Sequence, residues 1–190
     1  FSEHEKSDNR EILIKVLTSN DARMHDQIIR ATNNQTSVES SALRATDKVQ
    51  RDIEEILKKA DYYYERRTNY YKIQGVSIDR IASPLYLASG YIALIQKRPH
   101  QAVSLKNKFM RNPKQYDLIF SEKTDLNVWV KIVTIMKVCD CYLEKVRPHQ
   151  GEPLESYKKS LRYIIALITV SRILHTFDYS VPALTAFDLS

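Results

Sequence analysis

Apolar positions along this chain recur mainly at three- and four-residue spacings, the period of a helix with one buried face. The segment Glu11 to Leu17 breaks that habit, alternating so that Ile12, Ile14 and Val16 fall on one side, as in a strand. A lone strand is not stable, so this one is expected to pair with a portion lying N-terminal to Phe1. Helical spacing resumes after Asn20-Asp21 through Met24, Ile28 and Ile29, and is expected to end in the polar run Thr32 to Gln35. Asp47-Lys48-Val49-Gln50 has the spacing of a capping box and predicts a helix carrying Ile53, Ile56, Leu57 and Ala60 on one face. Tyr62 to Lys72 is ambiguous: its aromatic residues favour a strand, whereas the preceding pattern favours a helix.

Further along, Ser83-Pro84 is a cap followed by proline at the first helical position, so a helix opens there and stops before Pro99. Pro99 opens the next, through Leu105 to Phe109, and Asn112-Pro113 breaks it before a short apolar element, Tyr116 to Phe120. Asp125 to Val146 and Leu154 to Leu174 predict two long helices, apolar around most of their circumference and therefore central. Arg147 to Pro153 would join them as an antiparallel hairpin. The predicted fold class is mainly α, a helical bundle-like domain with one or two N-terminal strands that pair with a portion preceding the chain. Residues 1–120 form the first part, and the hairpin in residues 121–190 completes the core.

Composition supports helices. Three glycines and six prolines in 190 residues are too few for a many-stranded β fold. They also cannot build a glycine-rich phosphate loop. Cys139 and Cys141, the only cysteines, are expected as reduced, buried thiols, which points to a cytoplasmic location. The chain begins at Phe1 with no apolar leader, as a segment of a longer protein would, and no apolar run is long enough to span a membrane.

Catalytic signals are sparse. The five histidines (His4, His25, His100, His149, His175) show no metal-ligand pairing, and no nucleophile motif is present, so no catalytic residue, metal or cofactor is assigned. The net charge of +6 is concentrated: between Lys97 and Lys114 stand six basic residues and no acid, a pattern suited to phosphates. Arg-Pro-His-Gln occurs at Arg98 to Gln101 and again at Arg147 to Gln150, each at the end of an apolar helix, which reflects shared helix-stop chemistry.

The densest chemistry lies between Tyr62 and Lys72, with five tyrosines, Arg66 and Arg67. In a helix Tyr64 and Tyr71 share one row, Tyr63 and Tyr70 another, with Arg67 between. In a strand Tyr62, Tyr64 and Arg66 face one way and Tyr63, Glu65 and Arg67 the other. Glu65 or a carboxylate nearer the N-terminus could then pair with the arginines. Arginine between aromatic rings can grip phosphate or support stacked bases, or it can serve a structural arginine–tyrosine–glutamate network. Asn33, Asn34 and Gln35 offer consecutive amides able to orient a strand or a neighbouring loop.

With these residues in hand, the chain resembles the AIPR family, the bacterial abortive-infection phage-resistance proteins. The resemblance rests on Ile28 to Thr36, which contains Ala31-Thr32-Asn33-Asn34-Gln35, then on Asp47 to Gln50, Tyr63-Tyr64-Glu65-Arg66-Arg67 and Arg98-Pro99-His100. It covers about Ile12 to Phe120 and leaves the two long C-terminal helices unmatched. It implies a role in phage defence, without naming a reaction. The expected function is a nucleic-acid-engaging or sensing module, with DNA or RNA contacted by Asn33, Asn34, Gln35, Tyr64, Arg66, Arg67, Tyr71, Arg98 and His100, and with Glu65 in a structural network. The alternatives are a protein-interaction or oligomerisation scaffold, bound to the preceding portion or to a second copy, and the substrate platform of a nuclease whose catalytic site lies in that preceding portion.

Overall fold

The computed structural model describes residues 24, 44, 47–105, 107–146 and 154–187. The strand expected at Glu11 to Leu17, the amide run at Asn33 to Gln35 and the second Arg-Pro-His-Gln lie outside the described residues. Within them the protein is mainly helical. Helix α1 (Lys48–Lys59) leads into strand β1 (Tyr63–Tyr64), a single helical turn α2 (Tyr70–Ile73), a 3₁₀ turn and strand β2 (Ile81–Ala82). Helices α3 (Pro84–Leu94), α4 (Pro99–Ser104), α5 (Pro113–Ile119), α6 (Asn127–Lys145), α7 (Leu154–Ile173) and α8 (Val181–Ala186) follow. The two strands pair with each other in parallel, Tyr63 opposite Ile81 and Tyr64 opposite Ala82.

Helix starts follow local chemistry. The Ser83 side chain accepts a hydrogen bond from the Tyr86 amide at 3.2 Å and Pro84 takes the first helical position, where no amide is needed. Asn112-Pro113 works the same way for α5. The helix opened by Pro99, however, does not run through Phe109 as expected: it ends at Ser104, where Leu105 turns extended, and a 3₁₀ turn (Asn107–Arg111) follows. At Asp47 the capping box does not form. Asp47 makes no side-chain cap hydrogen bond, and Gln50, the residue expected to reach back to it, is wholly buried and bonded elsewhere.

The most enclosed element is α3, not the long pair. It packs against α4, α5, α6 and α7. Its small residues Ala88, Ser89, Gly90 and Ala93 are buried and let neighbouring helices come close. Helices α6 and α7 bury Trp129, Ile132, Met136, Ala166 and Val170 against the core, but leave Val138, Tyr142, Ile164 and Ile168 on the outside. Their apolar circumference therefore exceeds what the core uses. The two cysteines split likewise: Cys139 is buried and its thiol is pushed up to about 11 by that burial, whereas Cys141, on another face of α6, is exposed. The Tyr179 hydroxyl donates to the Leu94 carbonyl at 2.6 Å, tying the chain before α8 to the end of α3. No helix among the described residues is long and apolar enough to cross a membrane.

At Gly90 a β-carbon would stand 2.5 Å from Ile132 Cγ2 and 3.3 Å from Met136 Cγ, so α3 and α6 touch there without a side chain between them. Gly90→Ala is expected to destabilise the fold by ~1–3 kcal/mol through overpacking, despite alanine's better helix propensity. Urea unfolding followed by circular dichroism measures it, and an unchanged or raised midpoint would contradict this packing.

Candidate functional site

The tyrosine–arginine segment is built on α1. One face of that helix carries the apolar residues Val49, Ile53 and Leu57, all buried. Gln50 and Glu54, one turn apart, carry the polar work at the joint with β1. The Gln50 side chain is fully buried and satisfied at both ends: its oxygen accepts from the Tyr64 hydroxyl, and its nitrogen donates to the Tyr116 hydroxyl at 3.0 Å. Such a buried amide would cost about 1–3 kcal/mol if either bond were lost. Glu54 sits a turn further on. Its carboxylate accepts from Arg66 at 2.5 Å and from the Tyr71 hydroxyl at 3.3 Å.

Alternation along β1 decides which residue goes where. Tyr64 and Arg66 turn toward α1, and Glu65 between them turns the other way, as expected for extended chain. The carboxylate that pairs with Arg66 is therefore Glu54 and not Glu65. After Arg67 the chain reverses through Asn69, which takes a left-handed conformation (φ 62°) tolerated by asparagine, and enters α2. That turn brings Tyr71 back under Tyr63, ring centroids 5.1 Å apart edge to face, with Tyr70 edge-on to Tyr71 at 5.0 Å. Arg80, paired with Asp61, lies over the Tyr63 ring at 5.5 Å.

A cleft of about 300 Å³ results, lined by Glu54, Tyr64, Arg66, Arg67, Tyr70 and Tyr71. Its residues differ sharply in availability. Tyr64 is fully enclosed, and burial holds its phenol well above the ordinary value. Arg66 is about three-quarters buried, with 25 % of its side chain accessible. Arg67 is exposed, and Tyr70 keeps 50 % of its surface open to solvent. Arg98 caps α4 and is exposed, as is His100 in the first turn of that helix. Both belong to the acid-free basic stretch, where Arg111 and Lys114 are exposed as well and Lys97 pairs with Asp178 at 2.8 Å.

On the far side of β1, Glu65 lines a second and larger cleft of about 770 Å³. Asp140 and Arg162, both nearly buried, form an ion pair in its wall at 3.2 Å, and the Tyr86 hydroxyl donates to Asp140 at 2.9 Å. This constellation was not foreseen from the chain, nor were Glu54 and the pairing roles of Gln50 and Tyr116. A signal existed for two of its members: Asp140 is an acid within the apolar part of its helix, between Cys139 and Cys141, and Arg162 stands at the edge of the apolar run Tyr163 to Val170, the placement of a buried ion pair. Gln50 and Glu54 gave no such sign, because polar residues one turn apart on a helix are ordinary.

The family model described as AIPR protein matches residues 1–185. The chain belongs to the AIPR family. It thereby shares that family's association with phage defence. The match runs through both long helices, well beyond the stretch that carries the recognisable motifs. No curated protein and no solved structure matches the chain.

Two expectations follow from this geometry. Because Arg66 holds Glu54 while Arg67 stands in solvent, Arg66→Ala should cost ~1–3 kcal/mol and Arg67→Ala almost nothing. Thermal melts of both variants beside wild type test this, and equal effects would refute the division. The second concerns pH. Burial raises the phenols of Tyr64, Tyr86 and Tyr116, and places Tyr179 at about 12. A folded-state value above the unfolded one contributes stability that is complete below the unfolded value of about 10 and is lost as pH rises through the folded value. Melting temperature should hold steady from pH 7 to about 8.5 and begin to fall near 9, as the Cys139 thiol, raised to about 11, enters its window. It should fall more steeply above about 10, each group contributing roughly 1.4 kcal/mol per pH unit until its own folded value is reached.

Proposed function

We propose that this chain is a nucleic-acid-engaging module of a phage-defence protein, and that Arg67 and Tyr70 make its contact with a strand. The observation that carries the reading is their placement: an exposed arginine beside a half-exposed tyrosine at the rim of a small cleft. Both stand on a frame fixed by the pairing of Arg66 and Tyr71 with Glu54. A guanidinium grips phosphate oxygens with paired hydrogen bonds, and an aromatic ring beside it offers a stacking surface to any base. Single-stranded nucleic acid suits this arrangement, because its bases are free to leave the stack. Arg98, His100, Arg111 and Lys114 are exposed in the acid-free stretch and add positive field for an incoming phosphate chain. In this reading Tyr64 and Arg66 support the contact from within, and Asn33, Asn34 and Gln35 orient the strand or an adjoining loop.

One observation favours a second reading, a protein-interaction scaffold. The side chains of Tyr64, Arg66 and Tyr71 are all spent on internal partners, as a structural network requires. Under it the exposed Arg67 and Tyr70 would meet another protein surface or a second copy of this chain.

Fluorescence anisotropy with labelled single-stranded DNA, double-stranded DNA and RNA across a salt series separates the two. The nucleic-acid reading expects log-affinity to fall linearly with log-salt, and Arg67→Ala to shallow that slope by about one contact. Tyr70→Ala should weaken single-strand binding by ~1–3 kcal/mol with the slope unchanged. Absence of salt-dependent binding to every probe would overturn it in favour of the scaffold.

A further inference from the structure

The larger cleft asks for a ligand of different chemistry. Among the described residues, four carboxylates (Glu65, Asp79, Asp140 and Glu144) and three cations (Lys72, Lys137 and Arg162) line it, a balance that runs against the net charge of +6 carried by the chain. The cations nearest the β-strands are already engaged. Lys137 donates to the carbonyls of Ile78 and Ile81 at 2.8 and 2.6 Å, and its ammonium stands 4.9 Å from the Tyr86 ring centre. Arg162 is paired with Asp140 and lies 5.4 Å from the same ring. The Tyr86 hydroxyl donates to Asp140, which leaves its lone pairs as acceptors.

Glu65 is different. Its Oε1 is shielded from solvent and has no hydrogen-bond donor, although the residue is fixed in place by its own amide, which donates to the Ala82 carbonyl at 2.9 Å. A shielded carboxylate oxygen with no donor from the protein is costly to keep, and calls for a donor from water or from a ligand. Among the described residues the inner wall of the cleft thus offers more acceptors than uncommitted donors, and Lys72, the one lining cation not engaged there, is exposed. Among the described residues no group of acids, histidines and cysteines is arranged to hold a metal ion. At about 770 Å³ the space is that of a small-molecule site and exceeds the needs of a single inserted side chain.

We propose that this cleft binds a small organic cation, a compound bearing a primary ammonium or guanidinium group, and that Glu65 Oε1 receives its N–H donors. The buried Asp140–Arg162 pair and the Lys137 bridge to β2 hold the walls before the ligand arrives, so little ordering opposes binding. The proposal is independent of the nucleic-acid surface, since β1 directs Glu65 away from Arg66. Each can fail without the other.

Isothermal titration of nucleic-acid-free protein with putrescine, spermidine and agmatine tests it, with Glu122→Gln as an exposed-acid control. One of the three probes should bind at a single site. Glu65→Gln keeps the shape but loses the charge, and should weaken that binding about ten- to a hundredfold. Glu122→Gln should leave it unchanged. Glu65→Gln without ligand should melt at or above the wild-type temperature, because a neutral amide costs less to hold out of water than a carboxylate with a shielded oxygen. If Glu65→Gln fails to fold, Glu144→Gln at the exposed rim takes its place, with a weakening of several-fold expected. No saturable binding by any probe, or binding that neither variant weakens, would overturn the proposal.

Discussion

A single buried amide sets the geometry of this region. Gln50 is closed off from water, so both ends of its side chain must find partners inside the protein, and it does so with the hydroxyls of Tyr64 and Tyr116. Those two bonds fix β1 and α5 to the same turn of α1. Everything nearby follows from that anchoring. Glu54, one turn along, meets Arg66 because β1 is already in place, and Tyr71 returns to the same carboxylate once the chain has reversed at Asn69. The pairing of β1 with β2, only two residues on each side, then has enough support to persist where an isolated pair would not.

The same anchoring divides one short motif between two environments. Tyr64 and Arg66 are used up against α1, and Arg67 passes into solvent beside Tyr70. Glu65 turns into the opposite cleft toward the walls that carry Asp140 and Arg162. A motif that looks continuous along the chain therefore has a structural half, a surface half and one acid in a third setting. Substitutions at neighbouring positions should differ in kind, some acting on stability and others on contacts with a partner. This division also places an arginine–tyrosine surface and an acceptor-rich cleft on opposite sides of one strand, in a protein whose family is associated with phage defence.

Charge shows the same separation. The positive excess belongs to the segment from Lys97 to Lys114, where Arg98, His100, Arg111 and Lys114 face solvent and Lys97 is paired. The clefts beside β1 mix both signs, because buried or half-buried ions need partners to offset their loss of hydration. A basic overall balance thus says where long-range attraction to phosphate arises and nothing about what a particular cleft accepts.

The helices were legible from the chain because their signals are local: proline after serine or asparagine at Ser83-Pro84 and Asn112-Pro113, and apolar spacing through Trp129, Ile132 and Met136. The motif carried by Ala31 to Gln35 and Tyr63 to Arg67 was equally local, and it identified the family. Spacing could not show that Gln50 gives up its capping role for a buried one, nor that Glu54 and not Glu65 pairs with Arg66. Those outcomes depend on residues as distant in sequence as Tyr116. Nor could hydrophobic content rank α3 above the longer α6 and α7. Centrality came from the small side chains at Ala88, Gly90 and Ala93, which matter only once other helices approach. The sequence by itself determined the family and most of the helices, but not the strands at Tyr63–Tyr64 and Ile81–Ala82, since the former are written in neighbouring residues and the latter depend on pairing. The tertiary structure alone decided which polar groups are paired, buried or open, because each pairing needs partners brought together from distant parts of the chain.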